Sequence, residues 1–467
     1  MKRKGLILSI LAPLFFLLFG IYLINQTYNN NFAKFVKDNT PQQIKKFLKN
    51  TIFYIPITIR DNKKLKAEVR ELNKIKFNLE LNNFYLLNKN EFGTFSKKVI
   101  KSKKNKYLLK NFIVPFYNEN LYGNKKSGYI DFYKDNLVLA FTSGKIIFID
   151  KFELINNNNF KFREIENNLD NLKLFDQKIR WTGIKDIKIF DDKIIISVTE
   201  EIKNDCYATT LLYSEILSNS LNFEHLFRPD ECVDINKNNL NAFKYFNGYQ
   251  TGGRIEKVND DIFFTLGDYN DWKLPQNKKS VFGKILKINL ESKNFEIVSI
   301  GHRNQQGLKY LSSENTLIAT EHGPKGGDEI NLIDLNNLSP ENYGWPISSY
   351  GDHYDVVPIN KYTKKFAPLH KSHKSYDFIE PIFYFKEGIG ISEIIKNYFS
   401  SEDSFFLTSL KKKKIYQLVF KNNYKNSEIT DQIEIGERIR DIIYDYDTEN
   451  YFLYLENTPN ISVLKIN

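Results

Sequence analysis

A short strand pattern recurs six times in the chain from about residue 128 onward. In each copy a polar turn precedes a short run of apolar, β-branched or aromatic residues, and a second run follows after a connection of variable length. The first runs lie at residues 137–140, 194–197, 262–265, 317–320, 405–408 and 451–454. The second runs lie at residues 145–149, 210–216, 284–290, 329–335, 414–420 and 461–466. Runs of this length and composition are typical of β-strands rather than of amphipathic helices.

The spacing of these repeats predicts how the strands are arranged. Successive first strands begin 57, 68, 55, 88 and 46 residues apart, which is close to the unit length of a β-propeller blade with inserted loops. The predicted fold class is therefore all-β, with residues 128–467 forming a six-bladed β-propeller. An ordinary β-sandwich is the alternative. Because loops converge at the mouth of a propeller channel, we expect a ligand site there.

The hydropathy pattern of the N-terminus predicts a membrane anchor. Residues 5–24 (GLILSILAPLFFLLFGIYLI) contain no charged side chain, and a helix of this length spans the hydrocarbon core of a bilayer. Lys2, Arg3 and Lys4 precede it, which favours a cytoplasmic N-terminus. We expect residues 1–25 to be the transmembrane helix of a single-pass protein whose remaining chain lies in the periplasm or another extracytoplasmic space. A cleaved signal peptide is the alternative.

The positive net charge is confined to the N-terminal part of the chain. The 467 residues carry 67 Lys+Arg and 56 Asp+Glu, a formal net charge of +11, which alone would suggest a nucleic acid partner. Residues 1–128 hold 25 Lys+Arg and 7 Asp+Glu, so the later residues carry a net charge of −7. The positive charge belongs to the anchor and to residues 26–127, a predicted basic membrane-proximal spacer. No nucleic acid partner is therefore predicted.

The chain has two cysteines, Cys206 and Cys232, which are too few for a disulfide scaffold. In an oxidising compartment they could join in one disulfide, whereas a reducing compartment would keep them as thiols. The sequence leaves both states open.

Polar motifs that suggest a ligand site are concentrated in the third and fourth repeats. They are TGGR at 251–254, LGD at 266–268, GHRNQQG at 301–307, EHGPKGGDE at 321–329 and NYGWP at 342–346. Planar donors in the third motif suit carboxylate or quinone oxygens, and backbone carbonyls of the fourth suit a hard cation such as Ca²⁺. The insertion at residues 352–374 carries three histidines but matches no motif, so we expect it to be solvated.

The order and the amino-acid sequences of these motifs resemble those of the quinoprotein glucose/sorbosone dehydrogenases, especially the soluble aldose sugar dehydrogenase branch. The resemblance covers roughly residues 180–466 and includes FGKILKINL at 282–290, SLK at 409–411 and RIRDI at 438–442. It implies a six-bladed propeller that binds pyrroloquinoline quinone (PQQ) and Ca²⁺. It also implies oxidation of a small-molecule sugar or alcohol by hydride transfer to the quinone, with Ca²⁺ as Lewis acid.

The resemblance also implies roles for individual residues. Residues matching the positions that hold the quinone edge and its carboxylates are Arg303, Asn304, Gln306, Lys411, Arg438 and Arg440. Residues matching the calcium positions are Gly323 and Pro324 for the catalytic ion, and Glu329 and Tyr343 for a second, structural ion.

The chain departs from the family pattern at the expected general base. The family places a His four residues before the Arg of GGR, where this chain has Gln250, and WTGIKD at 181–186 replaces the family's QGGLLD-like motif. Glutamine can hydrogen-bond a hydroxyl but cannot take its proton, and loss of a positioned base typically costs about 10² to 10⁴ in rate. We therefore expect reduced activity, with His322 as a substitute base.

Two other functions stay open on the sequence. One is a non-catalytic propeller that binds quinone, sugar or peptidoglycan fragments at the membrane, which Gln250 favours. The other is a different activity at a Ca²⁺-centred channel, such as lactone hydrolysis, which would require several carboxylates around the metal.

Overall fold

The computed structural model describes residues 91–114, 127–172, 179, 181–216, 220–236, 248–421, 424 and 426–467. No helix in this part of the chain is long and apolar enough to cross a membrane. The predicted anchor at residues 1–25 lies outside the described residues, as does the predicted spacer up to residue 90.

The described strands form a hairpin followed by six blades. The hairpin is β1 (Glu91–Lys101) and β2 (Lys106–Ile113). The first blade is β3 (Gly128–Tyr133), β4 (Asn136–Phe141), β5 (Ile146–Asp150) and β6 (Asn159–Asn167). The second is β7 (Gly183–Phe190), β8 (Lys193–Lys203) and β9 (Cys206–Glu215), with the short strands β11 (Glu224–Phe227) and β12 (Val233–Asp234). The intervening strand β10 (Ser220–Leu221) pairs with β6 of the first blade.

The remaining blades follow in chain order. The third is β13 (Gly252–Val258), β14 (Asp261–Leu266), β15 (Lys284–Asn289) and β16 (Phe295–Ile300). The fourth is β17 (Gln305–Leu311), β18 (Thr316–Glu321), β19 (Asp328–Asp334) and β21 (Phe383–Phe385), while β20 (Glu341–Asn342) pairs with β16. The fifth is β22 (Ile391–Lys396), β23 (Ser404–Ser409), β24 (Lys414–Lys421) and β25 (Asn426–Glu434). The sixth is β26 (Ile439–Asp445), β27 (Asn450–Leu455) and β28 (Asn460–Ile466), completed by β2.

Two short α-helices lie in connections, α1 (Lys151–Asn156) and α2 (Lys361–Phe366). Single 3₁₀ turns occupy Leu169–Leu172 and Lys374–Tyr376. The all-β class and the six-bladed propeller are thus confirmed, and each of the twelve predicted runs overlaps one of the two central strands of a blade.

The ring closes through the hairpin. Strand β2 pairs antiparallel with β28, from Tyr107 opposite Ile466 to Ile113 opposite Asn460, and β1 pairs with both β2 and β6. The first and last blades therefore share one continuous sheet. The hairpin lies inside the segment predicted as a spacer, because its many Lys and Asn residues hide the apolar alternation of β2.

Apolar side chains pack between the faces of neighbouring blades. Val138 and Ile146 of the first blade, for example, share a buried cluster with Ile194 and Ile196 of the second. Between the sixth and first blades, the rings of Phe452 and Phe132 meet edge to face at 5.3 Å. This interlocking fixes the blades around a common axis.

Cys206 and Cys232 form a disulfide. It ties the start of β9 to the loop before β12, and Val233 also pairs with Tyr207 across these strands. Of the two states left open by the sequence, the structure has the disulfide.

Candidate functional site

A cavity of about 590 Å³ lies where the six blades converge, and residues from every blade line it. Among the described lining residues, cationic side chains far outnumber carboxylates. The cations are Arg303, Lys325, Lys411, Arg438 and Arg440, Lys185 adds a further amine, and the carboxylate is Asp328. Such a charge distribution favours an anionic ligand.

Most residues predicted from sequence come together here. The predicted residues that line the cavity are Gln250, Arg303, Asn304, Gln306, His322, Gly323, Pro324, Lys411, Arg438 and Arg440. Glu329 and Tyr343 do not line it. Tyr343 is buried, its ring stacks on His302 at 4.8 Å, and its hydroxyl donates to the Leu332 carbonyl.

Gln250 lies in a tight turn that packs against a second turn at Gly267. Its backbone has a left-handed conformation (φ 57°), which is uncommon for a residue with a side chain. Its carbonyl accepts from the Tyr269 amide at 3.1 Å. A Cβ on Gly267 would lie 2.0 Å from that carbonyl oxygen, so the turn at Gly267 must be glycine.

The Gln250 carboxamide lies between two buried side chains, the Asp268 carboxyl group and the Arg303 guanidinium group. In the orientation that satisfies both amide atoms, Nε2 donates to Asp268 Oδ1 at 2.7 Å and Oε1 accepts from Arg303 Nη2 at 3.0 Å. Burial raises the pKa of Asp268 to about 7, although the Arg303 charge opposes the shift. Asp268 is held from the other side by Trp345 Nε1 at 2.8 Å. The expected base position is thus filled by a neutral side chain that contacts Asp268, Arg303 and the Asn270 carboxamide.

His322 is also fully engaged. Its Nδ1 accepts from Asn304 Nδ2 at 3.2 Å, and its Nε2 donates to the Ile391 carbonyl at 2.5 Å. Burial lowers the pKa of His322 below its ordinary value; the Asp328 charge opposes this shift and the Arg303 charge adds to it. The imidazole is therefore neutral at pH 7 and positions Asn304. For His322 to take a substrate proton, Nδ1 would first have to leave Asn304.

Glu456, a residue that the sequence did not single out, orients the two arginines of the sixth blade. Arg438 Nε donates to one of its carboxylate oxygens at 2.6 Å, and Arg440 Nε donates to the other at 2.8 Å. Burial alone would raise the pKa of Glu456, but the two guanidinium groups hold it down to about 2. Arg440 Nη1 also donates to Gln306 Oε1 at 3.1 Å, which links the sixth blade to the fourth. The only sequence signal for Glu456 is an acid at the end of the apolar strand β27.

The predicted site of the catalytic Ca²⁺ is a tight turn. A Cβ on Gly323 would lie 2.2 Å from the carbonyl oxygens of both Gly326 and Gly327, so several carbonyls converge there. Asp328 anchors the turn, since its carboxylate accepts from the amides of Gly323 (3.1 Å) and Gly390 (2.7 Å). Within the described ranges no cluster of three or more His, Cys, Asp or Glu side chains suits a metal.

The second predicted calcium position borders a buried polar layer of the fourth blade. Gln305 lies opposite Glu321, which in turn lies opposite Glu329, on three adjacent strands. The side-chain amides of Gln305 and Asn331 are buried and have no hydrogen-bond partner among the described residues. Buried amides without partners normally imply a further ligand, such as water or a cation.

The insertion at residues 352–374 is only partly solvated, so this expectation was wrong for one of its histidines. His373 is buried, its ring stacks on Tyr350 at 5.4 Å, and its Nε2 lies 3.5 Å from Glu329 Oε1. His373 is polar and lies in an insertion that matches no motif, so the sequence does not indicate that its ring packs on Tyr350.

The fold is a six-bladed propeller with a cavity on its axis that is lined mainly by basic side chains. Residues 239–462 match the Glucose / Sorbosone dehydrogenase family, so the resemblance to that family is confirmed. The chain is 27% identical over 241 residues to aldose sugar dehydrogenase YliI of Escherichia coli (strain K12), covering 47% of this chain and 60% of that enzyme. The match thus spans less than two thirds of the relative's length.

Two solved structures have the same fold. The soluble aldose sugar dehydrogenase of Escherichia coli in the apo-form superposes with a TM-score of 0.57 at 20% identity, covering 75% of this chain and 100% of that one. The PQQ-bound form of an aldose sugar dehydrogenase from Streptomyces coelicolor superposes with a TM-score of 0.52 at 17% identity, covering 80% and 98%.

Proposed function

We propose that the protein is a membrane-anchored, PQQ-dependent sugar dehydrogenase of the periplasm or another extracytoplasmic space. It oxidises the CH–OH group of an aldose or alcohol, with Ca²⁺ as Lewis acid, at a rate reduced by Gln250. The observation that carries this proposal is the cationic cavity on the propeller axis, lined by the predicted quinone-binding residues.

The residues of the cavity fit the chemistry of PQQ. PQQ carries three carboxylates, and Lys411, Arg438 and Arg440 line the cavity on the fifth and sixth blades. Arg440 is preorganised by Glu456, so its guanidinium needs little reordering to receive a carboxylate. Arg303 and Asn304, fixed by His322, supply further donors. When bound, PQQ would supply the hydride acceptor of the reaction.

The calcium assignment rests on oxygen chemistry. The carbonyls of Gly323 and Pro324 belong to the turn that Asp328 anchors, and hard cations prefer such oxygen ligands. Glu329, with the orphaned amides of Gln305 and Asn331 on the same blade, fits a second, structural cation.

The extracytoplasmic location is supported by two features. Residues 5–24 are uncharged and follow three basic residues. The Cys206–Cys232 disulfide suits an oxidising compartment, because cytosolic thiols are normally kept reduced.

Titration of the full-length protein in detergent with PQQ tests the proposal. Absorbance of the bound quinone should saturate at micromolar PQQ in the presence of Ca²⁺ and be lost with EDTA. The Arg438→Gln/Arg440→Gln double variant should weaken binding at least about tenfold, which is 1.4 kcal/mol. Lys193→Gln, an exposed change on β8 outside the cavity, is the control. Absence of Ca²⁺-dependent binding in the unmodified protein would contradict the proposal.

A non-catalytic binding propeller is the second candidate, and the Gln250 bridge favours it. Gln250 joins Asp268 and Arg303 without offering a group that can take a proton. Such a protein would bind PQQ or sugar at the membrane without turnover. A dye-linked assay with a panel of aldoses separates the two, since the binding protein would give no rate above the protein-free blank.

A further inference from the structure

The cavity contains one amine that neither the family motifs nor the predicted site includes. Lys185 lines the cavity wall on the second blade. It is the bulged residue in the pairing of β7 with β8, since the register shifts between Ile184 and Asp186, and such a bulge re-aims the side chain. Asp186 points away from the cavity and pairs with Arg254 at 3.0 Å.

Lys185 lies beside the segment that carries Gln250. Its stem packs on Gly253, where a Cβ would lie 2.4 Å from the Lys185 Cβ. Its Nζ donates to the Trp181 carbonyl at 2.5 Å, and a Cβ on Gly248 would lie 2.7 Å from that same carbonyl oxygen. The amine therefore reaches the wall of the cavity formed by residues 248–253.

The surroundings of Lys185 favour the neutral amine. In the described part of the chain no carboxylate forms an ion pair with it. The charged group that acts on it is Arg440 of β26, and Tyr129 of β3 and Tyr249 line the same cavity. Burial, with a smaller contribution from the Arg440 charge, lowers the pKa of Lys185 to about 7. A large fraction of this amine is therefore unprotonated near neutral pH and can accept a proton.

We propose that Lys185 is the general base of this site, in place of the family histidine that is absent at Gln250. The inference rests on the proposed function. The neutral amine takes the proton of the substrate hydroxyl and becomes an ammonium group. The C–H bond of the same carbon breaks, and its hydride, with the electron pair, passes to the oxidised quinone. The C–O bond becomes a carbonyl, and the ammonium group returns its proton to solvent.

The first test measures the amine and needs no activity. The full-length apo-protein is labelled with trace acetic anhydride from about pH 5 to pH 10, and modification of Lys185 is quantified by mass spectrometry against exposed Lys193. We expect a midpoint near pH 7 for Lys185. A midpoint near the ordinary lysine value of about 10.4 overturns the proposal.

The second test separates a base from a simple anchor for anions. With PQQ and Ca²⁺ bound, Lys185→Gln and Lys185→Arg should both lower kcat about 10² to 10⁴-fold, with PQQ affinity changed far less. Arginine keeps the positive charge but does not release its proton, so full activity of Lys185→Arg would overturn the base role. Gln250→His should restore part of the rate in the Lys185→Gln background, whereas a purely structural defect would not be rescued.

The two proposals fail in different ways. If the unmodified protein binds no PQQ, the proposed function fails, and the base assignment fails with it even if the labelling midpoint is near pH 7. If PQQ binds and aldoses are oxidised, but Lys185→Arg is as active as the unmodified protein, only the assignment of Lys185 fails.

Discussion

Arg254 of the third blade donates from Nη1 to Asp441 of the sixth blade over 3.1 Å, although the two residues lie 187 positions apart in the sequence. The same guanidinium pairs with Asp186 (3.0 Å) and Glu393 (2.9 Å) of two further blades. It donates to the Gln306 carbonyl of the fourth blade and lies 5.2 Å from the Tyr129 ring of the first. One buried cation on the axis thus contacts every blade.

Removing this cation should destabilise the whole propeller. Arg254→Met would leave the Asp186, Glu393 and Asp441 carboxylates buried without a counter-charge, and loss of one partner of a buried pair typically costs about 3–5 kcal/mol. Urea unfolding followed by tryptophan fluorescence measures the loss, with the exposed Arg163→Met as control. Adding Asp441→Asn should recover part of the stability. A variant as stable as the control would show that the axial network contributes little.

Asp186 should make stability depend on pH. Burial, with the nearby Asp441 and Glu393 charges, raises the pKa of Asp186 to about 7 despite Arg254. Between about pH 4, its unfolded value, and pH 7, the folded protein keeps a proton that the unfolded chain has lost. This contribution to stability is present at low pH and lost as the pH rises through that window.

Asp186→Asn cannot ionise and should lack this loss. Its stability relative to the unmodified protein should therefore improve from pH 5 to pH 8 by at least about 1.4 kcal/mol, the equivalent of one pKa unit. Thermal unfolding at the two pH values measures it, with exposed Asp192→Asn for comparison. An unchanged difference between pH 5 and pH 8 would argue against a protonated Asp186.

Glu456→Gln should weaken cofactor binding through Arg438 and Arg440. A neutral amide cannot hold two guanidinium groups as firmly as a carboxylate does, so both side chains lose their fixed orientation. We expect the Kd for PQQ to rise about tenfold, or 1.4 kcal/mol, in the same absorbance titration. Exposed Glu434→Gln is the matched control. Unaltered PQQ affinity would mean that the arginines do not need this support.

Gln250→His should raise turnover. The new imidazole would lie beside Asp268, which can orient it as it now orients the carboxamide. Because Lys185 is proposed to take the proton already, the increase in the dye-linked assay should be smaller than the factor of about 10² to 10⁴ that a newly positioned base contributes. PQQ affinity should stay the same, which serves as the internal control. Wild-type rates already at ordinary dehydrogenase levels would instead show that Gln250 is no handicap.

Calcium should stabilise the fold through the polar layer of the fourth blade. If a cation binds near Glu329 only in the folded state, added Ca²⁺ raises the thermal midpoint, and this gain grows with concentration. Glu329→Gln should lose most of the gain, whereas Glu314→Gln, an exposed change in the turn between β17 and β18, should keep it. Equal thermal unfolding midpoints with Ca²⁺ and with EDTA would contradict the proposed structural calcium site.

The sequence predicts the central strands of each blade but not the inner ones. Strands such as β14 and β18 are short apolar runs after polar turns, and their pattern alone identifies them. The inner strands β13 and β26 carry Arg254 and Arg440 to the axis. Because charged residues interrupt their apolar alternation, these strands give only a weak periodic signal.

The same limit applies to the site. Arg303 and Gln306 lie in a compact motif, and a motif can be read from sequence. Glu456 and Lys185 stand alone in the chain, and their importance arises only when folding brings them beside Arg440, Glu456 from the end of the neighbouring strand and Lys185 from the second blade. Tertiary packing brings these residues together, so local sequence patterns do not predict the contacts.

The ring closure has a consequence for how the chain is made. Tyr107 is synthesised among the first residues of the propeller, yet its strand partner Ile466 lies in β28, the last of the described strands. During synthesis β2 must therefore wait with an unpaired edge while five blades form, and such an edge is open to aggregation. Truncation of the last strand would harm the beginning of the propeller as much as its end.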